Sequence, residues 1–334
     1  MSYPDLRYYI TFFTKRYEDF EKVSNSTKNV CKGRPKVYID RSLIVFFAIM
    51  MMKKTHHFKA QHDFLCEHSA YVSMLKFKSI PSRTTLSRRY KQIAPKLDAF
   101  IEYLGDLNVS LDIQTPQDVV YTDKSLYKAQ GSVWHQKHRK MNHIPEGLRA
   151  LDTDASWSTS KYRGWVYGYG LHLTTTANGF PRFACVYTAS VSEKTGLDQK
   201  IDALLDRNIR YIVADAGYTD FVRIQTHAQN GLFLLTPITG AKNDKKLAYL
   251  QAIETSPELQ PYQEKRKTAI EPVFSLLSEL TGTDNNQKQL PVSRIENVRT
   301  FLLLSIVLLQ IAMLINSIWN LPSREVSRMI TLFR

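Results

Sequence analysis

The stretch YIVADAGYTD, residues 211–220, joins a short apolar run to an aspartate and a pair of small residues. The run YIV is β-branched and aromatic, which predicts a buried strand. Asp215 follows the strand, and Gly217 follows Asp215 by two residues. An aspartate in this place either caps the next turn or belongs to a site at the open end of a sheet. Asp215 alone does not separate these two interpretations.

The chain on both sides of this stretch alternates strands and helices. Upstream, DVVYTD (residues 118–123) predicts a first strand that ends at Asp123. The later segments, in chain order, are a hairpin over residues 164–190 with its turn at 177–179, a helix over 193–207, the strand that ends at Asp215, a helix over 221–230, a strand over 231–238 and a helix over 267–282. The order β-β-β-α-β-α-β-α predicts an α/β fold in which helices flank a mixed sheet.

The first part of the chain has few strand signals. Residues 41–54 and 96–107 are apolar at helical spacing, and polar segments such as CKGRP (residues 31–35) separate the helices. We therefore predict an all-helical region over residues 1–112 and a sheet-containing domain over residues 113–334.

Two strand-end aspartates in this order raise the question of a shared site. If their strands are parallel neighbours, Asp123 and Asp215 reach the same volume at the sheet edge, where like charges repel unless a cation joins them. Hard divalent cations such as Mg²⁺ prefer carboxylate oxygens. A third carboxylate would come from a helix crossing the sheet, and Glu271 lies on a helix whose apolar face would fix it there. Its apolar residues are Ala269, Ile270, Val273, Phe274 and Leu277.

The charge balance favours a polyanionic partner. The 334 residues include 45 Lys and Arg against 31 Asp and Glu, a formal net charge of +14. Nucleic acid is the simplest partner for such an excess.

A basic helix is predicted in the helical region. The segment IPSRTTLSRRYKQI (residues 80–93) has an N-cap at Ser82 and resembles a recognition helix of helix-turn-helix type. The alternative is a solvated basic face. The candidate DNA contacts are Arg83, Arg88 and Arg89.

A second basic segment, SVWHQKHRKMNH (residues 132–143), comes soon after Asp123. Its cations would contact phosphates and Trp134 would stack on an unpaired base, the alternative being an exposed basic loop. The candidate DNA contacts are Trp134, His135, Lys137, Arg139 and Lys140. Tyr218, after the second aspartate, is more often a core residue than a stacking platform.

The uncharged stretch TFLLLSIVLLQIAMLINSIWNLP (residues 300–322) is long enough to span a bilayer. Polar residues interrupt it and the sequence has no second such stretch, so we predict a buried core helix and no membrane partner. The N-terminus lacks the features of a secretory signal, and three widely spaced cysteines suggest neither disulfides nor a zinc ribbon. These features indicate a cytoplasmic, nucleoid-associated protein.

Several motifs together resemble the DDE transposases of bacterial insertion sequences, whose catalytic domain has an RNase H-like fold. They are YTDKSLYKAQGSVWHQKH (121–138), GWVYGYGLHL (164–173), VADAGYTD (213–220) and KRKTAIEPVFSLL (265–277), with GRP (33–35) and PSRTTLSRR (81–89) upstream. The resemblance implies Asp123, Asp215 and Glu271 as catalytic, metal-binding residues and Mg²⁺ or Mn²⁺ as cofactor. It implies a reaction in which water cleaves a transposon end and the freed 3′-hydroxyl attacks target DNA. The implied partner is double-stranded DNA, bound by a homodimer.

One subgroup of these enzymes carries the pattern Tyr-x2-Arg-x3-Glu-x6-Lys around the third acid, and the match here is partial. Counted from Glu271, the Arg place holds Lys267, the Lys place holds Ser278 and the Tyr place holds Glu264. Arg266 stands one residue away from the Arg place. We take Arg266 and Lys267 as candidate DNA contacts, although a lysine lacks the bidentate fork of arginine.

Two other functions fit the same residues. An RNase H-like nuclease that cuts without joining would use the same three acids and the same metals. A catalytically inactive, transposase-derived DNA-binding protein would keep the basic regions, and the departures at Lys267 and Ser278 favour it while the three acids oppose it.

Overall fold

A computed structural model describes residues 4–25, 37–112, 114–161, 163–237, 248–249, 252, 255–283 and 287–333. The predicted polar segment at 31–35, with its GRP motif, lies outside these residues. The helices are α1 (Leu6–Asn25), α2 (Asp40–Met52), α3 (Phe58–Glu67), α4 (Ser69–Met74), α5 (Arg83–Gln92), α6 (Ala94–Leu111), α7 (Gln136–Lys140), α8 (Glu193–Asp198), α9 (Ile201–Leu205), α10 (Phe221–Gln229), α11 (Gln260–Ala269), α12 (Glu271–Thr281), α13 (Ile295–Ile318) and α14 (Ser327–Phe333). The strands are β1 (Val119–Lys128), β2 (Ser156–Ser160), β3 (Gly164–Thr175), β4 (Pro181–Thr188), β5 (Tyr211–Val213) and β6 (Phe233–Leu235).

The chain divides into two compact units. One, the helical unit, comprises residues 1–103 and 276–334, and the other, the sheet unit, comprises residues 104–275. This grouping differs from the predicted division at residue 112, because the C-terminal helices belong with the N-terminal ones. The division into a helical DNA-binding region of residues 1–112 and a catalytic domain of residues 113–334 stays a prediction.

Helix α13 forms the core of the helical unit. It is long and apolar enough to cross a membrane, yet 89% of its most apolar window is buried within the protein. It packs against α1, α2 and α5. Two of its polar side chains are hydrogen-bonded inside this core, since Thr300 Oγ1 donates to the Tyr90 carbonyl (2.8 Å) and Gln310 Nε2 donates to the Ile101 carbonyl (2.9 Å). The predicted burial of this helix is confirmed.

The sheet unit has the mixed sheet that the strand order predicts. Strand β3 pairs antiparallel with β1, β2 and β4, while β1 pairs parallel with β5 and β5 pairs parallel with β6. Helices flank the sheet, and the fold is the predicted RNase H-like α/β class. The hairpin between β3 and β4 turns at Ala177, Asn178 and Gly179 as predicted, and Gly179 there has the left-handed φ of +81°.

Three local predictions were wrong. Strand β1 runs on to Lys128, so Asp123 lies inside the strand and does not end it, because β1 continues its pairing with β3 through Lys128. The segment 193–207 forms two short helices, with Lys200 between them outside helical geometry. The edge strand β2 was not predicted, since its sequence SWSTS is polar at most positions.

Candidate active site

One aspartate of the predicted site, Asp123, lies on β1, and the other, Asp215, follows the end of the neighbouring parallel strand β5. Tyr121 of β1 is in register with Val213 of β5. Asp123 is two residues beyond Tyr121, and Asp215 is two residues beyond Val213. Because side chains alternate along a strand, both carboxylates lie on the same side at the same level of the sheet. The predicted neighbourhood of Asp123 and Asp215 is therefore present.

Asp123 occupies an environment that disfavours its charge. Its side chain is 19% exposed, and Oδ1 accepts a hydrogen bond from the backbone N–H of Lys124 (2.7 Å). Burial, followed by the negative charge of Asp215, raises the pKa of Asp123 to about 7. The Lys124 N–H and the Arg266 guanidinium oppose this rise. Asp123 is thus a buried carboxyl group whose ionisation a nearby cation would favour.

Asp215 also caps the turn that follows its strand. Residues Ala216–Tyr218 form a single 3₁₀ turn, and Asp215 Oδ1 accepts a hydrogen bond from the Gly217 N–H (2.9 Å). The capping interpretation is therefore correct for one carboxylate oxygen. It does not exclude the other interpretation, because a carboxylate has two oxygens and several acceptor positions.

Gly217 lies in this turn and makes room for neighbouring side chains. Its φ is not in the left-handed region that glycine alone adopts freely. A methyl group on its Cα would instead lie 1.8 Å from Oε2 of Glu193 and 3.1 Å from Oδ1 of Asp215. The glycine therefore leaves room for two carboxylates.

Glu271 begins helix α12 after a break in the predicted helix. Helix α11 ends at Ala269, whose carbonyl accepts a hydrogen bond from Thr175 Oγ1 of β3 (3.3 Å). Ala269, Ile270 and Val273 are fully buried. These apolar anchors fix the start of α12, as predicted, while the Glu271 side chain is 49% exposed.

Arg266 connects the first and third acids. Its Nη2 donates to Glu271 Oε1 (3.0 Å), and its Nη1 lies 3.8 Å from Asp123 Oδ2. In this conformation the guanidinium supplies the positive charge between the two carboxylates. Lys267 is exposed, and Ser278, at the subgroup's lysine place, is fully buried.

The carboxylates of this region are the right chemical type to bind a divalent cation, but they are not assembled around one point. Throughout the described ranges, no three carboxylate, histidine or cysteine side chains are close enough to hold a metal ion. The available oxygens are nevertheless those that Mg²⁺ and Mn²⁺ prefer. Asp123 and Asp215 are held together at a cost that a cation would relieve. Glu271 joins them only if its contact with Arg266 gives way.

Glu193 is the acidic residue of this region that the sequence reasoning missed. It starts helix α8 after the N-cap Ser192, and burial and the charge of Asp215 raise its pKa. Ser-Glu is an ordinary helix start, so its only signal in the sequence was its position between the two aspartates. Tyr218 is buried, 1% exposed, so the favoured core interpretation is confirmed.

The basic segment after β1 needs one correction. Trp134 is buried, 6% exposed, and its indole N–H donates to the His143 carbonyl (2.9 Å), so it has no open ring face for a base in this conformation. Arg139 lies over the Trp134 ring at 6.0 Å. His135, Lys137 and Lys140 are exposed on and beside α7, where phosphates can reach them.

The basic helix α5 carries both exposed and ion-paired arginines. Ser82 caps it as predicted, accepting a hydrogen bond from the Thr85 N–H (3.3 Å). Arg83 and Arg88 are exposed. Arg89, in contrast, forms an ion pair with the buried Asp40, which also binds Lys96. Arg89 is thus a structural cation in the absence of DNA, and its assignment as a phosphate contact stays a prediction.

Comparison with known proteins identifies the family. No curated protein sequence is significantly similar to the chain. Solved structures that the chain matches include a piggyBac transposase synaptic complex with hairpin DNA, at 10% identity and TM-score 0.45, covering 97% of this chain and 78% of that one. Another is a pre-cleavage Mos1 transpososome, at 11% identity and TM-score 0.21, covering 89% of this chain and 86% of that one. Residues 115–326 match the family described as "Transposase DDE domain". All three predicted acids lie within this range, and the chain belongs to the transposase DDE domain family.

Proposed function

We propose that the protein is a DNA transposase that binds the terminal repeats of its element and catalyses metal-dependent strand cleavage and strand transfer. The observation that carries the proposal is the pair of facing aspartates on parallel strands, with Glu271 joined to Asp123 through Arg266. A structural ion pair would not need a second carboxylate beside Asp123. A site for a divalent cation would need it.

The proposed cofactor is Mg²⁺ or Mn²⁺, held by Asp123, Asp215 and Glu271. Such a cation, when bound, stabilises charge on the oxygens of a phosphodiester. The chain's own part is positioning. The cap on Gly217 orients Asp215, the Lys124 N–H orients Asp123, and Thr175 holds the helix end that precedes Glu271.

Arg266 has two states in this proposal. Without DNA it neutralises Asp123 and Glu271. When Glu271 turns to the cation, the guanidinium is released and can bind a phosphate of the transposon end, where its planar fork is well suited to bidentate contacts. Lys267, one residue further and exposed, would add a point charge.

The proposed partner is double-stranded DNA, both transposon end and target. Exposed basic side chains support this proposal in each unit: Arg83 and Arg88 on α5, and His135, Lys137 and Lys140 at α7. A homodimer that pairs two transposon ends, and a cytoplasmic, nucleoid-associated location, belong to the same proposal.

The test is a reaction between purified protein, DNA carrying the element's two terminal repeats, a supercoiled target plasmid and Mg²⁺. Cleaved ends that also become joined to the plasmid are the expected result. Cleaved ends without joined products would favour the nuclease. Binding to the repeats without cleavage in Mg²⁺ or Mn²⁺ would favour the inactive DNA-binding protein, and equal binding to unrelated DNA would contradict recognition of the ends.

A further inference from the structure

A fourth carboxylate faces Asp215 across Gly217. The space beside the Gly217 Cα is filled by Oε2 of Glu193, and Oδ1 of Asp215 borders the same space. Glu193 comes from α8, an element separate from β1, β5 and α12. The two side chains thus converge from different directions on one small volume.

The backbone on either side of Glu193 holds it in this place. Lys124, the residue after Asp123, donates from Nζ to the carbonyls of Ala189 (3.0 Å) and Val191 (2.6 Å), which precede α8. Within α8, Gly196 packs so closely on His172 of β3 that a methyl group on it would lie 2.1 Å from His172 Nδ1. Helix α8 is therefore pressed onto the sheet, and Glu193 is not a mobile surface side chain.

The charges around Glu193 explain why this arrangement calls for a cation. Glu193 Oε2 and Asp215 Oδ1 border the same space beside Gly217, so two negative charges lie close together in a partly buried place. Lys124 and Lys194 compensate in part. The ammonium group of Lys124 is, however, already bound to two carbonyls, and Lys194 lies 3.5 Å from Asp220 Oδ2.

A buried hydroxyl points to the same volume. Tyr218 is 1% exposed, and its hydroxyl lies beside the Thr122 side chain without a hydrogen bond of normal geometry among the described residues. The hydroxyl is within electrostatic range of Asp123, Glu193 and Asp215. A polar group of this kind, left unsatisfied in the interior, is expected where a ligand or its bound water completes the site.

We propose that Glu193 is a fourth metal-binding residue of the site, sharing a divalent cation with Asp215 across Gly217. The inference rests on the proposed function, because it assigns one more ligand to the same cation. The ordinary alternative is a helix-start glutamate that stabilises the positive end of α8. That role does not require a glycine at position 217 that leaves room for the Glu193 carboxylate. It also does not require the Asp215 carboxylate beside Glu193.

The test measures Mn²⁺ binding to the full chain without DNA, by titration calorimetry. We compare wild type with Glu193→Gln, Asp215→Asn and the control Asp202→Asn, an exposed acid in the first turn of α9. Glu193→Gln and Asp215→Asn should each weaken binding about tenfold or more, while Asp202→Asn should bind as wild type does. Without metal, Glu193→Gln should melt no lower than wild type, because it removes a buried charge next to Asp215.

The outcomes separate the inference from the proposed function. If Asp215→Asn loses Mn²⁺ binding and Glu193→Gln retains it, the inference is overturned and the proposed function stands. If Asp215→Asn binds as wild type does, both fail. Should Glu193→Gln not fold, Glu193→Asp decides: it keeps the charge at the helix start but retracts the carboxylate, so weakened binding supports a metal ligand and unchanged binding supports the helix-start role.

Discussion

At the scale of single residues, Asp123 and Asp215 show how one side chain serves the fold and the site together. Asp215 caps a turn with one oxygen and faces two other acids, Asp123 and Glu193. Asp123 is buried and receives one backbone hydrogen bond. Both aspartates are held by backbone hydrogen bonds, and Asp123 carries electrostatic strain in the absence of a cation.

Asp123→Asn should stabilise the metal-free protein at high pH. The unfolded carboxyl ionises at its ordinary pKa, whereas the folded one ionises at about 7. The folded state therefore binds the extra proton between these values, and wild type loses this stability as pH rises towards 7. The increase in the free energy of unfolding caused by Asp123→Asn should grow over that pH range, reach a few kcal/mol at most, and stay constant at higher pH. Thermal denaturation in EDTA from pH 5 to 8 measures it, with Asp202→Asn as the control. A pH-independent gain would contradict the raised pKa.

Gly217→Ala should act through Glu193. The new methyl group would displace the Glu193 carboxylate, a flexible side-chain end, so the loss of stability should be less than about 1 kcal/mol. Mn²⁺ affinity should fall towards that of Glu193→Gln. Adding Gly217→Ala to Glu193→Gln should then change the affinity little, a non-additivity that a double-mutant cycle measures. Additive losses would show that the methyl group acts on Asp215 instead.

The sequence predicted three acids of this region and missed the fourth for a physical reason. Asp123 and Asp215 were found because parallel neighbouring strands align in a way that chain order anticipates. Glu193 reaches the site only because Lys124 and Gly196 press α8 onto the sheet. Contacts of that kind depend on tertiary packing. The burial of Trp134, whose indole N–H donates to the His143 carbonyl nine residues away, depends on packing in the same way.

At the scale of elements, helix α5 combines a structural face with an exposed basic face. Leu86 and Tyr90 are buried, and Thr300 of α13 donates to the Tyr90 carbonyl. Arg89 is paired with the buried Asp40. Arg83 and Arg88 remain exposed. The sequence identified the basic helix and its N-cap. It did not predict the ion pair between Arg89 and Asp40, because Asp40 is distant in the chain.

Substitutions on α5 should separate these faces. Arg83→Gln and Arg88→Gln should each weaken DNA binding and reduce the slope of log affinity against log salt by about 1, with unchanged stability. Arg89→Gln should lower the free energy of unfolding by about 3 kcal/mol, because it removes a cation that is paired with the buried Asp40. Fluorescence anisotropy at several salt concentrations and urea denaturation measure the two effects. Arg89→Gln with normal stability would contradict the structural role.

Helix α13 should behave as a core element. Replacing the fully buried Leu304 with alanine should lower the free energy of unfolding by about 2–5 kcal/mol. Ile318 lies at the end of the same helix and is 55% exposed. Replacing it with alanine should lower the free energy of unfolding by less than about 1 kcal/mol. Urea denaturation compares the two. Equal small effects would indicate that the helix is not buried as described.

At the scale of the whole molecule, one chain supplies an RNase H-like sheet unit and a helical unit formed from both ends of the sequence. The strand order and the mixed sheet followed from the alternation of strands and helices. The grouping of residues 276–334 with the N-terminal helices could not be predicted in this way, because the apolar pattern of a buried helix does not indicate which helices it packs against. The proposed transposase would use the sheet unit for chemistry and exposed cations of both units for DNA.

The most direct test of the account compares Asp215→Asn with wild type in metal-dependent cleavage of DNA that carries the terminal repeats. Asparagine keeps the acceptor for the Gly217 N–H, so the variant should melt within a few degrees of wild type. Its cleavage rate in Mg²⁺ should fall by about 10³-fold or more. Asp220→Asn, at the N-cap of α10 in the same ten-residue stretch, is the matched control and should cleave as wild type does. Normal cleavage by a folded Asp215→Asn protein would contradict the central claim that this carboxylate belongs to the active site.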